Sequence, residues 1–260
     1  MCFIFGPLRK FLQLLLHGFN VYRKVTFILK DIFGKALLDY HRQPGQQRLI
    51  TWTNLTEDDP VPLAYFFRTH PQMPALEQKA LEISSGRVLD IGCGSGSHAL
   101  YLQNEKKLAV TGIDQSAGAI AVAQERGVHH CIHAPILTHQ NHTYDTLLML
   151  MNGLGVAHSL NGVLPLLRHL KGLLAPSGQI LVDSSDLIYL FPKNEQSTWK
   201  NQPDYYGEVD YGIAYQQEED VFPWLYLDYA RLNHWAQQAG LHCEKVMDGP
   251  HFDYLARLWH

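Results

Sequence analysis

The sequence predicts an α/β fold built on a doubly wound, mostly parallel sheet. Three observations carry that prediction. Short apolar runs alternate with helix-period segments from about residue 74 to 183, the pattern of strands joined by crossover helices. A glycine-rich turn separates the first run from its helix, and the fourth run is continuously apolar, as a strand covered on both faces must be.

Taken in order, residues 1–19 are apolar in patches, but Arg9, Lys10, Gln13 and His17 interrupt them. Neither a spanning helix nor the charge-then-apolar order of a signal peptide fits. An amphipathic helix docked on the domain is expected there, with contact to a membrane surface or an upstream start-codon artefact as the alternatives. Residues 1–73 are expected to form a helical extension that packs on or caps a domain spanning 74–260. Within that domain, 87–91 reads as the first strand, 97–102 opens a helix, and 108–113 is a second strand ending at Asp114. Ser116 offers an N-cap for a helix that Gly127 can stop. A weaker third strand covers 128–132 and the fourth covers 146–151. Leu164, Leu167, Leu170 and Leu174 follow at helical spacing, and 179–182 is the fifth strand after the turn at 175–178. Periodicity fades over 184–223 while aromatic and acidic residues accumulate, so an insertion is expected. A helix over 224–239, stopped by Gly240, leads into 241–247 and 252–258, an antiparallel pair around the turn at 248–250.

Composition narrows the partners. At 260 residues and 46% hydrophobic the chain can bury one full core, and a formal net charge of -4 supplies no basic stripe for nucleic acid. A small-molecule partner is expected. Cys2, Cys93, Cys131 and Cys243 show no C-x-x-C spacing, and Cys93 sits inside the glycine turn, which argues for a reducing, cytoplasmic setting. His129, His130, His133, His139 and His142 crowd one neighbourhood, but their spacing is irregular and no metal site is expected from them.

The glycine turn holds most of the chemistry. Gly92, Gly94 and Gly96 permit positive φ angles and close approach of a ligand to the backbone. Their G-x-G-x-G spacing departs from the dinucleotide G-x-G-x-x-G, because position 97 is Ser. Asp90, two residues before Gly92, is poorly placed for a pyrophosphate and well placed for a cationic ligand. Asp114 lies at the end of the second strand, eighteen positions after Gly96, where an acid accepts hydrogen bonds from ribose hydroxyls. Its competing reading is a strand-end helix cap.

Two segments carry a resemblance. Val88-Leu-Asp-Ile-Gly-Cys-Gly-Ser-Gly96 resembles the first motif of the class I S-adenosylmethionine-dependent methyltransferases, and Val110-Thr-Gly-Ile-Asp114-Gln-Ser resembles their second. The likeness covers about residues 86–183. It implies a seven-stranded sheet with an antiparallel last strand, S-adenosylmethionine as methyl donor and S-adenosylhomocysteine as product. It assigns the cofactor loop to Asp90, Gly92, Cys93, Gly94 and Gly96, and the ribose contact to Asp114 with Gln115 beside it. Where many members place an acid against the adenine amino group, this chain has His133. In this fold the segment before the helix that leads into the first strand commonly folds over the cofactor, which implies Arg68 or Tyr65 for the methionine carboxylate, against the reading that the segment is there to pack Phe66 and Phe67. Asn152, after the fourth strand, is the candidate for shaping the methyl-transfer site and touching cofactor, against the reading that Asn152-Gly153 is only a turn. Asp183 and His158 are candidate bases or acceptor contacts, and so are Asp186 and Tyr189. The N/D-P-P-Y tetrad of many amino-group methylating members is absent. The leading expectation is methyl transfer to a small molecule. Alternatives are a protein or RNA acceptor, and a protein that binds the cofactor without transferring from it.

Overall fold

The computed structural model describes residues 30–200, 202 and 204–260, so the helix expected over 1–19 lies outside the described residues. The chain runs α1 (Ile32–Arg42), β1 (Arg48–Thr53), β2 (Thr56–Pro62), α2 (Ala75–Ile83), β3 (Arg87–Ile91), α3 (Ser97–Asn104), β4 (Ala109–Asp114), α4 (Ala117–Glu125) and β5 (His130–His133). It continues through β6 (Tyr144–Met149), α5 (Leu160–Gly172), β7 (Leu174–Ser185), α6 (Gln196–Lys200), β8 (Glu208–Tyr215), β9 (Glu218–Leu225), α7 (Tyr229–Gln238), β10 (His242–Asp248) and β11 (Asp253–Trp259).

Seven strands form the main sheet in the order β10-β11-β7-β6-β3-β4-β5. Strands β5, β4, β3, β6 and β7 pair in parallel, and β11 runs antiparallel to both β7 and β10. The chain lays β3, β4 and β5 outward in one direction, then returns to add β6 and β7 on the other side of β3. A crevice therefore opens at the carboxyl ends of β3 and β6, where α/β sheets bind ligands. Successive strand residues feed opposite layers, because strand side chains alternate faces. Leu147, Met149, Ile180 and Val182 pack with Leu166 and Leu170 of α5, whereas Leu148 and Leu181 pack with Ala80 of α2 and Leu102 of α3.

A second, four-stranded antiparallel sheet has the order β2-β1-β8-β9 and acts as a roof. It corrects two expectations. Residues 48–62, expected to be helical with the rest of 1–73, form the hairpin β1–β2. Their partner is remote: Ile50 faces Ala214 and Thr53 faces Tyr211, pairings that no local periodicity can announce. The helix expected from residue 224 starts at Tyr229, because Trp224 and Leu225 complete β9 opposite Val209 and Glu208. Asp228 sets the start by accepting from the Arg231 amide at 3.0 Å.

The roof is bound to the main domain through α1. Asp31 caps that helix, accepting from the Gly34 amide at 2.9 Å and, across the interface, from the Gly118 amide at 2.8 Å. A Cβ on Gly118 would strike the Gly34 backbone, so α1 and α4 cross in near backbone contact. The other face of α1 presents Ile32 and Ala36 to Leu49, Ile213 and Tyr215 of the roof.

Candidate active site

Three glycines turn the chain between β3 and α3, and each has a separate task. Their φ angles are 73°, 52° and 81° at Gly92, Gly94 and Gly96, a region costly for residues with a Cβ. A Cβ on Gly92 would meet nothing within 4 Å, so this residue forms the open floor of the crevice. One on Gly94 would approach the Phe33 ring at 3.9 Å, and one on Gly96 would stand 2.7 Å from Val128, where α3 packs down. The amides of Gly92 and Cys93 donate to the Ile113 carbonyl at 2.8 and 3.2 Å, which wraps the turn over the end of β4. Cys93 is buried, and that burial pushes its thiol up, so it remains a neutral packing group.

Asp114 braces this turn. Its Oδ2 accepts from the Gly94 amide and its Oδ1 from the Ser116 amide, both at 2.9 Å. The capping of α4 falls to Ser116, whose Oγ accepts from the Ala119 amide at 2.9 Å. Burial raises the Asp114 carboxyl, partly opposed by the amides that donate to it. The carboxylate keeps lone-pair capacity for a hydroxyl donor.

Asp90 is held differently. It is 1% exposed, and its Oδ2 has no hydrogen-bond partner. Burial pushes the carboxyl up to about 6, against the opposing charge of His98. An unpaired buried acceptor beside an open floor fits a ligand that brings a positively charged donor, directly or through water.

At the ends of β4 and β5, Asp114 and His133 lie side by side. His133 Nε2 bonds the Gln115 carbonyl at 3.0 Å; a carbonyl only accepts, so Nε2 carries a proton there. Gln115 itself is exposed at the crevice rim. Among the described residues no group of His, Cys, Asp or Glu is arranged to hold a metal ion.

Opposite the glycine turn runs a strap over residues 63–68. The hydroxyls of Ser95 and Ser97 both donate to the Phe66 carbonyl, and Arg126 in turn donates to both hydroxyls. Phe66 meets Phe33 edge-on at 5.1 Å between centroids. Arg68 is buried, paired with Glu77, and lies 3.9 Å from the Tyr65 ring centroid. Phe33, Phe66, Arg126, Glu77 and His98 were not legible as site residues. Each is a single aromatic or charge on a helix or turn, and only the fold collects them.

The residues expected on the transfer side converge on one seam. Met151 and Asn152 both have positive φ, and their amides donate to Asp183 at 3.1 and 2.6 Å. Burial pushes the Asp183 carboxyl up to about 7. The Asn152 side chain donates to the Leu225 carbonyl at 3.1 Å and accepts from Ser184 Oγ at 2.6 Å. His158 sits at φ 61° with the Ser159 amide bonded back to the Ala157 carbonyl at 2.7 Å, a strained γ-turn. Its Nδ1 donates to the Pro223 carbonyl at 2.9 Å. Asn152 and His158 thereby stitch the post-β6 segment to the free edge of β9. Asp186 caps the following turn and also accepts from the Tyr206 hydroxyl at 2.7 Å, and exposed Tyr189 stacks on Phe252 at 5.2 Å.

Comparison with known proteins identifies the family. Residues 88–178 match a family model described as a methyltransferase domain. A crystal structure of an S-adenosylmethionine-dependent methyltransferase from Bacteroides fragilis, in complex with S-adenosylhomocysteine, is 39% identical, with a TM-score of 0.80 over 88% of this chain and 94% of that one. The sugar N-methyltransferase KedS8 from Streptoalloteichus shares the fold at 15% identity and a TM-score of 0.55, covering 76% of this chain and 92% of its own. An uncharacterized protein of Synechococcus is 35% identical over 130 residues, 47% of this chain, and the match spans 31% of that curated relative's length. On fold, turn geometry and the Bacteroides match, the chain belongs to the S-adenosylmethionine-dependent methyltransferases.

Proposed function

We propose that this chain transfers a methyl group from S-adenosylmethionine to a small-molecule acceptor. One observation carries the reading: the unpartnered Asp90 Oδ2 beside the open floor at Gly92, a match for a cationic ligand and a mismatch for a pyrophosphate. Asp90, Gly92, Cys93, Gly94 and Gly96 would hold the amino-acid end, with Arg68 for its carboxylate. Asp114 and Gln115 would hold the ribose and His133 the adenine edge. When bound, the donor supplies a methyl carbon activated by its sulfonium, so the protein's contribution is alignment and exclusion of water.

The remaining residues divide that work. The roof's inner face carries Thr51, Tyr211, Phe222 and Trp224, with no lysine or arginine among them, and Trp224 seats against Gly155. Such a wall suits a compact, flat or amine-bearing acceptor and offers nothing to a polyanion. Asn152 and Asp183 shape the transfer site as its frame, since their bonds tie the segment after β6 to Leu225 and Ser184 and hold the turn at Met151. His158 differs: with Nδ1 donating to Pro223, the neutral ring keeps a lone pair on Nε2, and it is the candidate to take the acceptor's proton. No helix among the described residues is long and apolar enough to cross a membrane, and a cytoplasmic setting belongs to the same reading.

Calorimetric titration tests the donor. Binding of S-adenosylmethionine and S-adenosylhomocysteine with no binding of NAD is expected, and the reverse result sinks the proposal. Radiolabelled methyl transfer into a cell extract, sorted by size, tests the acceptor. Label in the small-molecule fraction is expected; label in protein or RNA overturns the acceptor class, and no label at all points to a binding protein.

A further inference from the structure

Three ionisable side chains, Arg68 at the end of the strap with Glu77 and His98 behind it, are buried together. Arg68, Glu77 and His98 are 7%, 3% and 9% exposed. Glu77 Oε1 receives Arg68 Nη2, and Glu77 Oε2 lies 2.6 Å from His98 Nε2. The bonds to Arg68 and His98 hold Glu77 below the usual carboxylate range despite its burial. Burying such a group costs several kcal/mol per ion, and an apolar set of similar volume would be about as stable. Stability alone does not account for the arrangement.

The cluster is incomplete in a specific way. Arg68 is committed on three sides: Nη1 to the Tyr65 carbonyl, Nη2 to Glu77, and its flat face to the Tyr65 ring. Its Nε has no partner and is buried. On the other side of the Glu77–His98 pair, Asp90 accepts from the amide of Ala99, the residue after His98, and its Oδ2 is likewise buried and unpaired. His98 feels both Asp90 and Arg68. The pair thus stands between one orphaned cationic donor and one orphaned anionic acceptor, and orphans of this kind are rare in folded proteins. An α-amino acid group, with its ammonium and carboxylate, is the complementary ligand.

We propose that Glu77 and His98 are positioning residues that hold Arg68 and Asp90 as a matched pair for the zwitterionic end of the donor, Arg68 taking the carboxylate and Asp90 the ammonium. This rests on the donor assignment above. It adds that selectivity for the amino-acid end is set from behind the site, by two residues that touch no ligand.

The test compares two ligands by calorimetry on the full chain: S-adenosylhomocysteine, and 5′-methylthioadenosine, which lacks the amino-acid end. The wild-type chain should prefer the former by about 100-fold, the sum of two charge-assisted contacts. Glu77→Gln and His98→Gln should each cut that preference by about tenfold or more, through weaker S-adenosylhomocysteine binding at unchanged methylthioadenosine binding. Since Glu77→Gln strands Arg68, a double variant, Arg68→Met with Glu77→Leu, removes both charges; it should fold and lose the preference. Equal weakening of both ligands, or an intact preference in these variants, overturns the positioning role. Failure of the wild-type chain to bind either adenosyl compound overturns the donor assignment instead.

Discussion

The two sides of the crevice are built in different ways. On the donor side, Asp114 braces Gly94 and Ser116, and Ile113 receives the amides of Gly92 and Cys93, all within a short stretch of chain. On the acceptor side, Asn152 reaches Leu225 and His158 reaches Pro223, 73 and 65 residues away, and the roof joins β1 to the distant β8, Ile50 facing Ala214. Bonds within residues 92–116 hold the glycine turn itself, whereas bonds from side chains to distant carbonyls hold the acceptor side and tie the strap over the turn. The difference teaches how such a fold can keep one donor while changing acceptors: the turn tolerates little, and the seam can be re-stitched.

The sharpest way to break the comparison is to place the same substitution on each side. Gly96→Val adds a side chain at φ 81° against Val128 and should cost the fold ~3–5 kcal/mol, seen as a collapse of the denaturation midpoint. Gly155→Val displaces the Trp224 ring and with it the roof edge. Turnover should fall by about 100-fold, while S-adenosylhomocysteine affinity stays within about threefold of wild type, since a misplaced wall costs alignment only. Equal loss of donor affinity would show that the two sides are one unit. Removing residues 195–220 would be a poor test of the wall, because β8 is the partner of β1.

Within the donor side, Asp114→Ala should weaken S-adenosylhomocysteine by ~1.5–3 kcal/mol in calorimetry, because a charge-assisted contact is lost and the turn loses its brace. An unchanged affinity would reduce Asp114 to a structural tie.

Asp90 gives a pH-dependent version of the same contrast. Burial raises its folded-state value to about 6 from 3.8, so the folded chain binds more protons than the unfolded chain between those values. Stability from this group therefore declines as pH rises across that window, and the full cost, ~3 kcal/mol, is present above about pH 6. Asp90→Asn should stabilise the empty chain at pH 8 by ~1–3 kcal/mol and lose most of that advantage at pH 4, and it should weaken the donor at pH 8 more than at pH 4, where the wild-type carboxyl is already protonated. A variant less stable at pH 8 would show that the carboxylate is satisfied in the fold. The smallest effect on stability is expected at His158. His158→Gly loses the bond to Pro223 but relieves a positive φ, so stability should change by less than ~1 kcal/mol. Turnover should still drop by ~100-fold with an acceptor that must shed a proton.

What could be read in advance follows the same division. Asp90, Gly92, Gly94, Gly96 and Asp114 are close in sequence, and their spacing is itself the geometry of a strand, a turn and a helix start. Asn152 and His158 could be singled out as polar residues after β6, but not their tie to β9, since neither Leu225 nor Pro223 bears any local mark of that contact. The hairpin over 48–62 is not legible in the sequence for a related reason: its strands are specified by β8, not by their own pattern. Glu77 and His98 lie on helices where a charge ordinarily faces solvent, and only packing turns both inward.

The sequence by itself determined the parallel sheet, the glycine turn and the acids that flank it, because strand and helix periods and positive-φ positions are properties of adjacent residues. The tertiary structure alone decided the roof, the strap over the turn, the buried Arg68–Glu77–His98 cluster and the seam that binds Asn152 and His158 to β9. Each of these depends on pairing between distant segments, and on which charges the closed chain leaves without water.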